Sequence, residues 1–167
     1  MRCFCYFVEP ASYTLDLANN IYDKNQIDYC FIYSTSLAKS DRKIKKMFLD
    51  HFSFFFRLRF LFTIYKNHDF IIINGYNNYV FLLTFLINIF SFKKRFIAIE
   101  SDTQLSVSNN FLKQFAKWLY LSIVFRNRYL LGFAGGNNLH KDLFRYYGMK
   151  ENRIFLMPMM VDNSKFY

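Results

Sequence analysis

The stretch DFIIINGYNNYVFLLTFLINIFSFKKRFIAIE, residues 69–100, contains two short apolar runs separated by a longer one. The short runs, residues 69–74 and 95–100, are rich in isoleucine and phenylalanine, as buried β-strands are. Residues 78–91 between them follow a turn with a glycine and have the length of a helix. Strand, helix and strand in this order predict two parallel strands in one sheet.

The same alternation extends along the chain in both directions. Further strands are predicted at residues 2–8, 28–34, 128–134 and 153–158. Further helices are predicted near residues 12–24, 41–66, 109–126 and 137–147. Most of these strands are continuously apolar, which indicates a sheet covered on both faces. The sequence therefore predicts an α/β fold with a doubly wound, mostly parallel, Rossmann-like sheet.

Length, composition and charge narrow the class of protein. A chain of 167 residues is long enough for one compact domain with a core of its own. Apolar residues make up 53% and aromatic residues 22%, which excludes a disordered chain. The net charge of +10 favours an anionic partner, such as nucleic acid, an anionic lipid surface or a phosphorylated small molecule.

The cysteines and histidines do not form a recognisable metal or disulfide pattern. Cys3, Cys5 and Cys30 lie in predicted strands, without a C-x-x-C pair, so we expect buried thiols in a reducing cytoplasm. The three histidines are scattered without metal-ligand spacing, and no metal site is predicted. No export signal is predicted, and the longest apolar stretch, residues 79–92, falls short of the ~20 residues that cross a bilayer.

Carboxylates follow the predicted strands at the edge where parallel strands end. Ligands of such sheets bind at this edge, beyond the carboxyl ends of the strands. Glu100 and Asp102 are candidates for a catalytic base that deprotonates a hydroxyl, and capping of the following turn is the structural alternative. Glu9 directly follows the first strand, where its charge would repel a phosphate, so binding of an acceptor suits it better.

The segment AGGNN, residues 134–138, opens a predicted helix with two glycines. Backbone N–H groups and the helix dipole at such a turn can bind an anion. The segment is neither a Walker A loop nor G-x-G-x-x-G, and the first loop has no glycine. A self-sufficient mononucleotide site is therefore not predicted.

Residues 41–66, taken as one helix, carry a basic strip from Arg42 to Arg57 that gives way to aromatic residues from Phe56 onward. This pattern predicts contact with an anionic membrane surface. The alternatives are cover by a protein partner and burial in the core. Nucleic acid is not predicted as a partner, because the basic residues form no known reader motif. The residues predicted to contact the membrane are Arg57, Arg59, Phe60, Lys93, Lys94 and Arg95.

Three segments resemble the N-terminal half of glycosyltransferase family 4 enzymes of the GT-B superfamily. They are YFVEPASYTLDLANNIY (6–22), IAIESDTQ (97–104) and AGGNNLHKDLFRYYGMKENRIFLMPMMVDNSKF (134–166). The last is similar to the family passage G-x-x-x-x-K-I-x-x-x-P-x-x-V-D-x-x-x-F, through which the first domain leads into the second. The resemblance implies a Rossmann-like acceptor-binding domain at residues 1–156 and the start of an interdomain connector at residues 157–167, with the second domain absent.

The resemblance also implies an activity: transfer of a sugar from a nucleotide-diphosphate sugar, the donor substrate, to a hydroxyl of a lipid-linked or cell-envelope glycan. No cofactor is expected. Such an enzyme of polysaccharide biosynthesis would be cytoplasmic, or peripheral on the inner face of the plasma membrane. The acceptor side would be lined by Glu9, Ser12, Tyr13, Asn74 and Tyr76, with Glu100 or Asp102 as the base. The donor phosphates would lie near Gly135, Gly136 and Asn137.

The chain departs from the family pattern in several places. The family's E-x7-E glutamates have no counterpart, EPASYT (9–14) replaces a Gly-Gly turn, and Glu100-Ser101-Asp102 replaces a frequent histidine. We therefore expect no turnover without the donor-binding domain. The alternative is a non-catalytic Rossmann-like module that binds a partner protein or an anionic membrane surface.

Overall fold

A six-stranded parallel sheet forms the centre of the protein, in agreement with the predicted α/β, doubly wound fold. The structure is a computed structural model that describes residues 1–18, 25–34, 47–105 and 110–157, with Ser12 and Tyr13 described by their backbone. All strand pairs are parallel, in the order β2-β1-β3-β4-β5-β6. The strands are β1 (Cys3–Phe7), β2 (Asp28–Phe31), β3 (Phe70–Asn74), β4 (Phe96–Ser101), β5 (Leu130–Ala134) and β6 (Ile154–Leu156).

Helices connect the strands and cover both faces of the sheet. They are α1 (Ser12–Leu17), α2 (Phe54–Asn67), α3 (Tyr79–Phe90), α4 (Phe111–Phe125) and α5 (Asn138–Tyr146). Short 3₁₀ turns occupy Leu49–His51 and Glu151–Arg153. Side chains from α2, α3, α4 and α5 share one core cluster, whereas α1 packs in a second cluster on the opposite face. This division of the helices makes the sheet doubly wound.

The second face of the sheet is less completely covered than the first. Over β5 and β6 the described residues leave an open apolar groove of about 330 Å³. Phe133 lies at its centre, with ring centroids 6.2 Å from Phe70 and 6.0 Å from Phe155. The groove is lined by Leu131, Phe133, Phe155, Leu156 and Met157.

The segment before α2 corrects the prediction of one long helix over residues 41–66. Phe48 instead forms a parallel bridge with Phe31, and their rings stack with centroids 5.6 Å apart. The helix begins only after Ser53, whose hydroxyl accepts a hydrogen bond from the N–H of Phe56. The apolar spacing of this segment suited a helix, but pairing with the edge strand β2 stabilises an extended conformation at Phe48. The basic residues at 41–46 lie outside the described residues.

The other predicted helices agree with the structure within a few residues. Asn78 and Asn110 cap α3 and α4, each accepting a hydrogen bond from the N–H three residues ahead. Gly148 ends α5 with a φ of +89°, a conformation that favours glycine. Residues 19–24 of the first predicted helix and residues 158–167 of the predicted connector lie outside the described residues. The N–H of Met157 donates to the carbonyl oxygen of Ala134, 2.9 Å away, and so continues the β5–β6 ladder.

The prediction of buried thiols is confirmed for two of the cysteines. Cys5 and Cys30 are fully buried on adjacent strands, and Cys3 is half-buried at the start of β1. Burial raises the pKa of Cys3 to about 11 and that of Cys30 further. Among the described residues no group of three or more His, Cys, Asp or Glu side chains is arranged to hold a metal ion.

The helices of the described segments are also too short or too polar to cross a bilayer. The apolar helix α3, for example, contains a buried asparagine. Asn88 is 1% exposed, and its side chain joins three elements. Its Oδ1 accepts hydrogen bonds from the Tyr65 hydroxyl at 2.6 Å and from the Arg95 N–H at 2.9 Å. Its Nδ2 donates to the Arg95 carbonyl oxygen at 3.1 Å. Asn88 therefore ties α3 to α2 and to the residue that precedes β4.

We predict that Asn88→Ala lowers the free energy of unfolding by roughly 2–3 kcal/mol, because the buried N–H of Arg95 loses its acceptor. Urea denaturation followed by circular dichroism measures the change. Asn67→Ala, at the exposed end of α2, is the matched control and should change stability little. Equal stabilities of the two variants would contradict this role of Asn88.

Gly132 lets α5 pack directly on β5. A Cβ at this position would lie 2.8 Å from ring carbons of Phe144 and 3.0 Å from the sulfur of Met149. We predict that Gly132→Ala lowers the free energy of unfolding by about 1–3 kcal/mol through overpacking. Gly135→Ala is the control, since its Cβ would meet Asp102 at 3.4 Å, an ordinary contact. Urea denaturation of both variants makes the comparison, and a Gly132→Ala protein as stable as the control would contradict the close packing.

Candidate functional site

Three loops meet at the carboxyl edge of the sheet, after β3, β4 and β5. The N–H of Gly75 donates to the carbonyl oxygen of Glu100 at 2.7 Å, and the N–H of Gly135 donates to that of Ser101 at 2.9 Å. These two bonds hold the loops after β3 and β5 against the end of β4. Gly75 has a φ of +79°, so a side chain here would strain the backbone.

Glu100 is the buried carboxylate of this edge. It is 6% exposed and lies between Asn74 of β3 and Phe133 of β5 in the strand register. The amide of Asn74 donates to its Oε2 at 3.3 Å. Burial raises the pKa of Glu100, and the charge of Asp102 raises it further, while the hydrogen bond from Asn74 opposes both. A carboxylate with a raised pKa is a better proton acceptor at neutral pH than an ordinary one.

Asp102 lies beside Glu100 but is exposed to solvent. At the start of the turn that follows, the N–H of Thr103 donates to the Ser101 hydroxyl at 3.2 Å. Glu100 bonds instead across the sheet to Asn74. The two candidate bases thus have different surroundings, one buried and one open.

The residues predicted for the acceptor side are only partly brought together. Asn74 joins Glu100, as described above. Glu9 is half-buried after β1, and its carbonyl oxygen accepts a hydrogen bond from the Thr14 hydroxyl at 2.9 Å. Ser12 begins α1, and the side chains of Ser12 and Tyr13 lie outside the description.

Tyr76 is placed in the core and not on the rim. It is 4% exposed, and its ring packs edge-on against Phe125 of α4 with centroids 6.0 Å apart. Burial raises the pKa of its hydroxyl. In this conformation its side chain packs in the core beneath the loop after β3.

The predicted donor-phosphate loop is largely occupied by its own hydrogen bonds. The side chain of Asn137 accepts from the Leu139 N–H at 2.9 Å, and the Asn137 N–H donates to Nδ1 of His140 at 3.1 Å. These bonds form a capping box at the start of α5. Gly136 lies against the His140 imidazole, where a Cβ would come within 3 Å of ring atoms. The N–H groups of Asn137 and Leu139 are thus already used within the turn.

The residues predicted for membrane contact have different environments. Arg95 is 8% exposed and pairs with Asp69 at 2.7 Å. Arg57 donates to the carbonyl oxygens of Asp50 and Phe52 at 2.9 and 2.8 Å. Lys94 donates to the carbonyl oxygen of Asn88 at the end of α3. These three cations have internal partners.

The remaining three residues predicted for membrane contact differ in exposure. Phe60 is half-buried, with its ring 6.0 Å from that of Phe4. Arg59 and Lys93 are exposed. A further exposed apolar surface lies on α4, which was not among the predicted contacts. The signal for it was present: α4 contains no acidic residue, and its apolar residues are too many for one buried stripe.

Comparison with known proteins adds no family. No protein-family model matches the sequence, and no curated protein matches it at a significant level. The structure therefore shows the fold and the placement of these residues, and the resemblance to glycosyltransferases stays a prediction.

The raised pKa of Glu100 predicts a pH-dependent stability. The ordinary pKa of a glutamate is 4.5 and the folded-state pKa of Glu100 is higher, so the folded state binds more protons in the interval between them. As the pH rises from about 4.5 through the folded-state pKa, the free energy of unfolding should fall. Glu100→Gln should lack this fall and should be the more stable protein at pH 8. Urea denaturation between pH 4 and pH 8 measures both.

Asp102→Asn is the matched control for this titration. It should keep the fall and move it to lower pH, because the charge of Asp102 is one cause of the raised pKa. Identical pH profiles of the wild type and Glu100→Gln would contradict the assignment.

Proposed function

We propose that this chain is the acceptor-side domain of a glycosyltransferase. The reaction transfers a sugar from a nucleotide-diphosphate sugar to a hydroxyl of a lipid-linked or cell-envelope glycan. The observation that carries the proposal is Glu100, a buried carboxylate with a raised pKa at the carboxyl edge of a parallel sheet. A general base at this place can accept the proton of an acceptor hydroxyl as the hydroxyl attacks the sugar.

The topology supports an acceptor at this edge. β1 has β2 on one side and β3 on the other, so the connections that lead to β2 and to β3 run to opposite sides of β1. The strand order reverses at this point. Ligands of open α/β sheets bind in the crevice outside such a point. Glu9 follows β1 and Asn74 ends β3, so these two residues border the crevice, with Glu100 one strand further on.

The donor would be bound mainly by a second domain. The turn at Gly135–Asn137 already uses the N–H groups of Asn137 and Leu139 for its own capping box. This occupancy supports a site in which the second domain supplies most contacts to the nucleotide and its phosphates. Transfer then requires both walls of the cleft, since catalysis depends on holding the two reactants together in an aligned geometry.

A lipid-linked acceptor places the enzyme at a membrane. We propose a cytoplasmic protein that is peripheral on the inner face of the plasma membrane and acts in polysaccharide biosynthesis of the cell envelope. The second candidate function is a non-catalytic module that binds a membrane or a protein partner. The exposed apolar surface of α4 favours it, because that surface is independent of Glu100.

Binding of an acceptor to the chain tests the first function. We expect a polyprenyl-diphosphate-linked sugar in detergent to bind saturably in isothermal titration calorimetry. Glu100→Gln should weaken this binding about tenfold or more, because a hydrogen bond to a charged group is worth ~1.5–3 kcal/mol. Glu151→Gln is the control, since Glu151 is exposed before β6, at the opposite edge of the sheet.

Two results would contradict the proposal. Equal binding by the wild type and Glu100→Gln would remove Glu100 from the acceptor site. Sugar transfer by the 167-residue chain alone would show that no second domain is needed.

A further inference from the structure

The first ten of the fifteen residues of α4 have no buried side chain. Residues 111–120 are all exposed or half-exposed, and the buried residues of the helix begin at Leu121. At 1.5 Å per residue, this part of the helix is about 15 Å long. A helix that packs on a sheet normally buries a residue every three or four positions. Residues 111–120 do not follow this rule, although the side chain of Gln114 interacts with the hydroxyl of Tyr147.

Residues 111–120 of α4 are strongly apolar. Phe111 is 79% exposed and Leu112 75%, values that are unusual for such large apolar side chains. The ring of Phe115 stacks on that of Phe111 and on that of Trp118, with centroids 6.3 Å apart in each pair. We name these residues and their neighbours the α4 apolar face: Phe111, Leu112, Phe115, Trp118, Leu119 and Ile123.

The α4 apolar face is one continuous surface. At 100° per residue its six side chains span an arc of roughly 140°. Lys113 and Lys117 lie on the opposite side of the helix, about 150° and 170° from the centre of this arc, and residues 111–125 contain no aspartate or glutamate. An apolar arc with tryptophan and phenylalanine, and lysine on the polar side, is the composition of a helix that lies in a membrane interface.

Charge favours an anionic bilayer over a second copy of the chain. The chain has a net charge of +10, so two copies of it repel each other. A bilayer with anionic lipids buries the same apolar side chains and attracts the positively charged chain. An anionic bilayer therefore accounts for both the positive charge of the chain and the exposed apolar arc.

We propose that the α4 apolar face docks the protein on an anionic lipid bilayer, with the aromatic side chains at the level of the headgroups. The N-terminus of α4 follows β4 and so lies at the carboxyl edge of the sheet, the edge that carries Glu100. Docking through residues 111–120 turns the carboxyl edge of the sheet toward the lipid surface. Presentation of a lipid-linked acceptor to Glu100 rests on the proposed function, whereas the docking itself does not.

Trp118 is the single tryptophan of the chain and reports on this surface directly. The wild-type chain is mixed with vesicles of phosphatidylcholine alone or with 30 mol% phosphatidylglycerol. The anionic vesicles should shift the tryptophan emission to shorter wavelength, and lipids brominated near the headgroup should quench it. No shift and no quenching with anionic vesicles would overturn the proposal. A shift that depends on protein concentration without vesicles would overturn it in favour of self-association.

Vesicle co-sedimentation of variants locates the surface. Phe111→Ser with Phe115→Ser should weaken binding on the order of a hundredfold, because two aromatic side chains no longer enter the interface. Lys113→Ala and Lys117→Ala, on the opposite side of the helix, should each weaken it less than the double phenylalanine variant does. Phe92→Ser is the matched control: Phe92 is fully exposed at the opposite edge of the sheet, and its loss should change nothing.

Variants of the exposed cations Arg59 and Lys93 test a different docking surface. If Arg59→Ala with Lys93→Ala abolishes binding and the double phenylalanine variant does not, the α4 apolar face is not the docking surface. Circular dichroism of each variant establishes that it is folded. Vesicle binding that persists while acceptor binding is absent would overturn the glycosyltransferase proposal and leave the docking surface in place.

Discussion

A parallel sheet must be covered on both faces, and this requirement governs the rest of the structure. Its strands are apolar on both sides, so every uncovered part exposes hydrophobic surface to water. Four helices bury one face around residues such as Phe81, Phe125 and Phe144. On the other face the described residues supply α1 near β1 and β2, and an apolar groove remains over β5 and β6. The completeness of this cover decides which surfaces of the protein need a partner.

The polar groups inside the fold follow a second rule, that buried polar atoms need partners. Asn88 satisfies it at the end of α3. Two guanidinium nitrogens of Arg95 satisfy it through Asp69 and the Lys66 carbonyl oxygen, whereas its buried Nε has no hydrogen-bond partner among the described residues. Glu100 is different, since one hydrogen bond from Asn74 does not offset the cost of burying its charge. A carboxylate kept in such a place makes stability lower at neutral pH, which is a common property of groups that serve a function.

Much of the fold was predictable from sequence because strands and helices of this chain have local signals. Unbroken apolar runs gave the six strands, and Asn78 and Gly148 marked helix ends as their chemistry requires. The extended conformation at Phe48 was not predictable, because it depends on pairing with a strand distant in sequence. At the candidate site, the position of Glu100 near the carboxyl end of β4 was predictable from the strand boundary. The burial of Tyr76 was not predictable, since only the packed structure shows its ring against Phe125.

The cysteines can report whether β1 separates from the edge strand β2 as the protein unfolds. Cys5 and Cys30 lie on neighbouring strands with no exposed area, whereas Cys3 is partly exposed to solvent at the start of β1. Alkylating reagents attack the thiolate, and burial disfavours that form at Cys3 and Cys30. The order in which the three sulfur atoms become modified in rising denaturant would therefore show whether β1 separates from β2 before the whole sheet is lost, without any added probe.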